Sequence, residues 1–362
     1  MSSYWFESIV MSDTWVYVFF PFNIRPALAL PLNSCHNMFM PVISHTYQPG
    51  FFRNAHVNTT WSSKFRFVPQ VTYQRQRFEL SDGDFVDIDW SYSPAAYPNN
   101  PSDKCVVILH GLGGSSQGVY VRGLVRALNA QGWDTAAYNF RGASGEMNRL
   151  PVTYHSGRTD DLHEFSTSLV SQGRYRVLCL VGFSLGGNVT LKYFGETGEN
   201  CPYNFGAGVS VPMDLAGSAG TLEKSSYYMK YLLGKLRPFM EEKHRQFPDR
   251  ISLEGFSSIA SFREYDDRYT SVLNGFKDAQ EYWEKSSSLP SLPNIKRPVL
   301  VLNALDDPFL SPGCFPFQVA DQSSKVHFCA PRYGGHVGFM EFPNRVYTET
   351  IVPDFFHEMM RL

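Results

Sequence analysis

The chain has 362 residues, 43% of them hydrophobic and 18% charged, with a formal net charge of -2. That is enough apolar chain for one large core, and the composition excludes a disordered polymer. Near-neutral charge without a long basic run excludes nucleic acid as the main partner. Six cysteines are present, with no CxxC pair and no metal-ligand spacing. Cys105, Cys179 and Cys329 fall within apolar runs, so they are expected as small core hydrophobes in a reducing cytoplasm.

At the N-terminus, residues 15–22 and 27–32 are apolar, but Pro21, Asn23, Arg25 and Pro26 break them up. Neither run reaches the roughly 18–20 residues of a membrane-spanning helix. No basic stretch precedes them and no small-residue cleavage site follows, which argues against a signal peptide. Residues 1–45 are expected as a poorly ordered extension, with Met40 as an alternative start and membrane contact at most peripheral.

Residues 46–74 read as loop-rich. Residues 75–80 and 85–92 alternate apolar and polar side chains around Ser81-Asp82-Gly83-Asp84, which predicts a β-hairpin. Residues 105–109 form a β-branched apolar run, as in a strand buried on both faces. The run ends in His110-Gly111-Leu112-Gly113-Gly114. A helix is expected over 117–130, a strand over 135–140, a helix over 158–172 and a strand over 176–181. Further strands are expected at 206–211, 298–303 and 326–330. Strands alternating with helices predict an α/β fold, with a mostly parallel sheet covered on both faces. Between Val211 and Pro298 no buried strand is legible. Helices are expected at 225–244 and 274–285, with a Ser/Pro-rich hinge at 286–298. The division expected is a core of residues 46–211 and 298–362, with a helical cap inserted at 212–297.

Gly182-Phe183-Ser184-Leu185-Gly186 stands between a predicted strand and a predicted helix. This G-x-S-x-G spacing suits a sharp turn, where side chains at the glycines would collide and the serine hydroxyl is exposed at a helix N-terminus. A serine alcohol needs a base, and the base needs an orienting carboxylate. In this arrangement both follow the serine, each after a later strand. Asp306-Asp307 follows strand 298–303, and His336 follows strand 326–330. Asp307 lies three residues after the small Ala304, so it is favoured over Asp306, which is expected to bond the loop backbone. Backbone N–H groups of Leu112 and Leu185 are expected as the oxyanion donors. His110 and His155 are expected to brace loops. Alternative readings are an alcohol acyltransferase using the same acyl-enzyme, and a non-catalytic binding protein on this scaffold.

Six ordered blocks carry a resemblance. They are His110–Ser115, Asn139–Gly145, Tyr154–Gly157, Gly182–Asn188, Asp306–Phe309 and Gly334–Phe339. Together they resemble the AB hydrolase 4 family of the α/β-hydrolase superfamily, in particular its bacterial YheT-type members. The likeness runs from about Asn54 to the C-terminus. The block Asn54-Ala55-His56-Val57-Asn58-Thr59, where the family often has Asn-Pro-His-x-x-Thr, and Ala143, where it often has cysteine, depart from the usual pattern without touching the triad. The resemblance implies an α/β-hydrolase fold, a serine esterase acting on a small acyl or lipid-like ester, a triad of Ser184, Asp307 and His336, and no metal or organic cofactor.

Overall fold

Every residue from Cys105 to Leu109 is buried, as a strand enclosed on both faces requires. In the computed structural model, which describes residues 10–11, 14–15, 45–94, 101–342 and 344–362, this segment belongs to β3 (Lys104–Leu109), near the middle of a sheet. Residues 1–38 and 39–362 form separate units. In the first, Val10–Met11 pairs antiparallel with Thr14–Trp15. The expectation for residues 1–45 falls almost wholly outside the described residues.

In the second unit, eight strands among the described residues make one sheet. They are β1 (Gln74–Glu79), β2 (Phe85–Ser91), β3, β4 (Asp134–Asn139), β5 (Val177–Phe183), β6 (Phe205–Val209), β7 (Val299–Leu302) and β8 (Val326–Cys329). Their spatial order is β8-β7-β6-β5-β3-β4-β2-β1. Strands β3 to β8 are parallel to their neighbours, while the β1–β2 hairpin joins antiparallel through β2 and β4. Alternation within β3 sends Val107 and Leu109 to one core cluster and Val106 and Ile108 to the other. Helices α3 (Asp160–Ser171) and α4 (Leu185–Thr197) cover the first face. Helix α2 (Val119–Ala130) and the C-terminal helix Thr348–Met359 cover the second. The mostly parallel, two-sided α/β fold is thus as expected. Cys105, Cys179 and Cys329 are buried thiols in β3, β5 and β8.

Two local expectations need correction. The loop-rich stretch 46–74 contains helix α1 (Ala55–Lys64). Asn54 caps it by accepting N–H bonds from His56 and Val57. The helix lacks an apolar stripe, and Asn, Thr and Ser are weak helix formers, so no periodicity was legible. Tertiary bonds hold it instead. The buried Asn58 amide donates to Tyr47 Oη and Phe52 O and accepts from Met340 N. The second correction is the hinge. Residues 286–298 include a short helical turn, Leu289–Asn294, with Leu292 fully buried. Ser291 packs on α4 so closely that a Cβ at Gly195 would stand 2.3 Å from its carbonyl oxygen. This is a packed seam.

Residues 212–297 contain α5 (Leu215–Leu222), α6 (Ser226–Gln246), a helical run over 262–274 and α7 (Ala279–Ser286). The helix expected at 274–285 begins later because Gly275, at φ 76°, ends the preceding helix in the left-handed region. Asp278 then caps α7 by accepting the Glu281 N–H. Among the described residues no helix is long and apolar enough to cross a membrane.

The end of β5 depends on close backbone approach. A Cβ at Gly182 would lie 2.0 Å from Gly186 O. Gly182→Ala should therefore abolish folding, read as loss of the cooperative thermal transition. Gly220→Ala, on an exposed helix position with open space, should raise stability by about 0.5–1 kcal/mol. A folded Gly182→Ala protein with an unchanged melting temperature would contradict this crossing.

Candidate active site

Ser184 stands between β5 and α4 with φ 52° and ψ -117°. A non-glycine residue held at positive φ is strained, and strain of this kind gathers at functional sites. Two backbone bonds hold it there, Ser184 N–H to Val209 O at 2.8 Å and Asn188 N–H to Ser184 O at 3.0 Å. Asn188 is itself fully buried. Its amide donates to Ser156 O and Ser286 O and accepts from Ser288 N. One side chain thus ties the first turn of α4 to the Tyr154–Gly157 loop and the packed seam.

His336 reaches the serine from the loop after β8. Its Nε2 lies 2.9 Å from Ser184 Oγ, and its Nδ1 lies 2.9 and 3.1 Å from the two carboxyl oxygens of Asp307. With a carboxylate acceptor at Nδ1, that nitrogen carries the proton, leaving Nε2 as acceptor for the serine hydroxyl. Asp307 also accepts the Phe309 N–H at 2.9 Å. Asp306 does not reach the imidazole; its Oδ1 accepts the Gly335 N–H at 2.9 Å. The two adjacent carboxylates therefore part, one to the ring and one to the backbone of the loop that carries the ring.

Two supports of His336 were not legible in the sequence. Thr59 of α1 accepts the His336 backbone N–H at 2.8 Å through Oγ1. The Phe309 ring stacks on the imidazole with centroids 4.1 Å apart and planes 19° from parallel. Tyr228 of α6 packs its edge on Phe309 at 4.7 Å, and its hydroxyl lies 2.7 Å from His56 Nδ1 on α1. The Asn54–Thr59 block was the available signal for the first support, and Asp307-Pro308-Phe309 for the second. Neither spacing says which ring or hydroxyl meets the histidine.

The loop after β3 closes the other side. Gly111 N–H donates to Tyr120 Oη, Gly113 N–H to Tyr154 Oη and Gly114 N–H to Gly111 O. Among the described residues, Leu112 keeps the remaining N–H of this run without such a partner. Leu112 and Leu185 both line the cavity that contains Ser184. That cavity measures about 690 Å³ and extends from the sheet edge under α5, α6 and the run over 262–274. Its volume lies within the roughly 300–1,000 Å³ of small-molecule sites.

His110 and His155 stand apart from this line. His110 is fully buried, donates from Nδ1 to Gly111 O and accepts the Phe140 N–H at Nε2. Burial pushes its pKa down to about 4. His155 accepts the Gly157 N–H at Nδ1, and burial, with Arg158 and Lys192 nearby, pushes it down to about 3. Both brace loops, as expected.

A family model described as "Alpha/beta hydrolase family" matches residues 106–349. The chain belongs to the α/β-hydrolase family. Among its relatives is "Putative esterase YheT" of Escherichia coli (strain K12), 35% identical over 84% of this chain and 90% of that protein. "Phospholipase ABHD3" of Homo sapiens is 28% identical over 83% of this chain and 75% of that protein. An esterase from Pyrococcus furiosus shares the fold of this α/β hydrolase at TM-score 0.54 and 16% identity, covering 82% of this chain and 96% of that one.

In this α/β hydrolase the His110 ring should stay neutral down to about pH 5. Its folded pKa lies below the unfolded value, so its stabilising contribution is present above about pH 6.5 and is lost as pH falls toward 4. An NMR titration of the His110 ring checks this, and a midpoint near 6.5 would contradict the burial.

Proposed function

We propose that this α/β hydrolase is a serine carboxylic ester hydrolase that works through an acyl-enzyme on Ser184. The observation that carries this reading is the line Ser184 Oγ–His336 Nε2 and His336 Nδ1–Asp307 at hydrogen-bond distance beside one large cavity. Esterase, phospholipase and lipase relatives support the same class of reaction.

In this mechanism His336 Nε2 accepts the Ser184 proton as Oγ attacks the acyl carbonyl. Asp307 fixes the Nδ1–H tautomer and stabilises the imidazolium that forms. The N–H groups of Leu112 and Leu185 receive the tetrahedral oxyanion. The alcohol departs with the proton from His336. Water then attacks the acyl-enzyme by the reverse route, returning the acid and the free serine. The Phe309 ring shields the His336–Asp307 pair from water, which strengthens their interaction.

Residues 212–297 act as a cap over the sheet edge. Leu222, Leu232, Leu236 and Phe239 give the cavity an apolar wall against which an acyl chain can pack. A small acyl or lipid-like ester is the substrate that fits such walls.

Ser184→Ala should lower kcat on a short-chain ester by roughly 10³–10⁶-fold while leaving the thermal transition in place. Full turnover by that variant would overturn the nucleophile assignment.

A further inference from the structure

The cavity above Ser184 holds one carboxylate that acyl transfer does not use. Asp266 lines it with only 7% of its surface exposed. It opens a single π turn, Asp266–Thr270, between the short helices Phe262–Tyr265 and Ser271–Asn274. Such turns insert one residue into a helix and recur at functional sites. The carboxyl oxygens accept from Thr270 Oγ1 at 2.7 Å and Trp283 Nε1 at 2.8 Å.

Both of those donors are neutral. The charge acting on Asp266 is that of Asp267, a like charge, which is itself turned to the Ala279 N–H. Among the described residues no basic side chain pairs with Asp266. Arg263 lies with its guanidinium over the Trp283 ring. His155, on the cavity wall, is held neutral by burial. Lys235 also lines the cavity, but it is an exposed residue whose ammonium lies over the Tyr231 ring.

A carboxylate withdrawn from water and given only neutral donors is costly. Burial accordingly pushes the Asp266 carboxyl up to about 7. A cation entering the cavity would reverse that, because an opposite charge favours the ionised form. The walls suit a cation that carries alkyl groups. Phe262, Tyr265, Tyr282 and Trp283 line the same cavity, and aromatic faces attract ammonium groups most strongly when desolvated. We propose that Asp266 and these rings form a subsite for an ammonium group on the substrate, so that the enzyme prefers cationic esters to neutral esters of the same shape. The proposal rests on the ester-hydrolase reading for the reaction and on the cavity alone for the binding.

The test uses the full chain and two matched pairs. In one pair the cation is on the alcohol side: butyrylcholine against the butyrate ester in which carbon replaces the nitrogen. In the other it is on the acyl side: the ethyl ester of γ-(trimethylammonio)butyrate against its carbon isostere. The wild type should favour the cationic member of one pair by at least about tenfold in kcat/KM. The ratio should rise between pH 6 and 8 as the carboxyl ionises, because steps common to both esters cancel. In Asp266→Asn it should fall to about one at every pH.

Binding of benzyltrimethylammonium by calorimetry reports the subsite without turnover. Ser184→Ala should bind it, and Asp266→Asn should bind it at least about tenfold more weakly. The near-ultraviolet circular dichroism of the aromatic side chains together and the thermal transition report whether the variant is folded. Equal kcat/KM within both pairs, or cation binding unchanged in Asp266→Asn, would each overturn the proposal. Failure of every ester together with Asp266-dependent cation binding would sink the hydrolase reading and leave the subsite standing.

Discussion

The chain crosses itself at Gly182 and Gly186, and the rest of the site depends on that approach. A Cβ at Gly186 would stand 2.6 Å from His110 O, and one at Gly182 would press on Gly186 O. Only with both side chains reduced to hydrogen does β5 pass straight into α4. The crossing holds Ser184 at φ 52° and lifts its hydroxyl to the sheet edge where β7 and β8 also end. The apolar interior of β3 and β5, buried on both faces, anchors the strained turn from below.

Distant segments converge on His336. Asp307 comes from the loop after β7, Thr59 from α1 and Phe309 from two residues beyond the acid. The contact from Phe309 to Tyr228, and from Tyr228 to His56, links α6 with α1 across the histidine. Rotation of the ring would break its bonds to Asp307 and Ser184 and its stack on Phe309, so its orientation is fixed before a substrate arrives. Pre-organisation of this kind is what makes a weak alcohol nucleophile useful.

The sheet was legible because its central strands are continuous β-branched runs ended by glycine-rich turns. The order serine, acid, histidine could be read from where those strands end. Asp307 was separable from Asp306 because the spacing to Ala304 fixes which residue leaves the turn. Helix α1 was not legible, since its stability comes from Asn58 bonding to Tyr47, Phe52 and the far Met340, interactions with no periodic pattern. The seam at 286–298 read as a hinge for the same reason: serines and prolines signal a bend, and only tertiary packing shows that Ser286, Ser288, Leu292 and Ile295 are buried in it. The roles of Thr59, Phe309 and Asp266 depend on cross-chain distances that no one-dimensional spacing encodes.

The central claim is that His336 and Asp307 activate Ser184 for acyl transfer. Labelling by a fluorophosphonate, followed by peptide mass analysis, measures that activation directly. The account expects one adduct, on Ser184, with the labelling rate falling at least about a hundredfold in His336→Ala. An adduct on another residue, or undiminished labelling of Ser184 in His336→Ala, would contradict it.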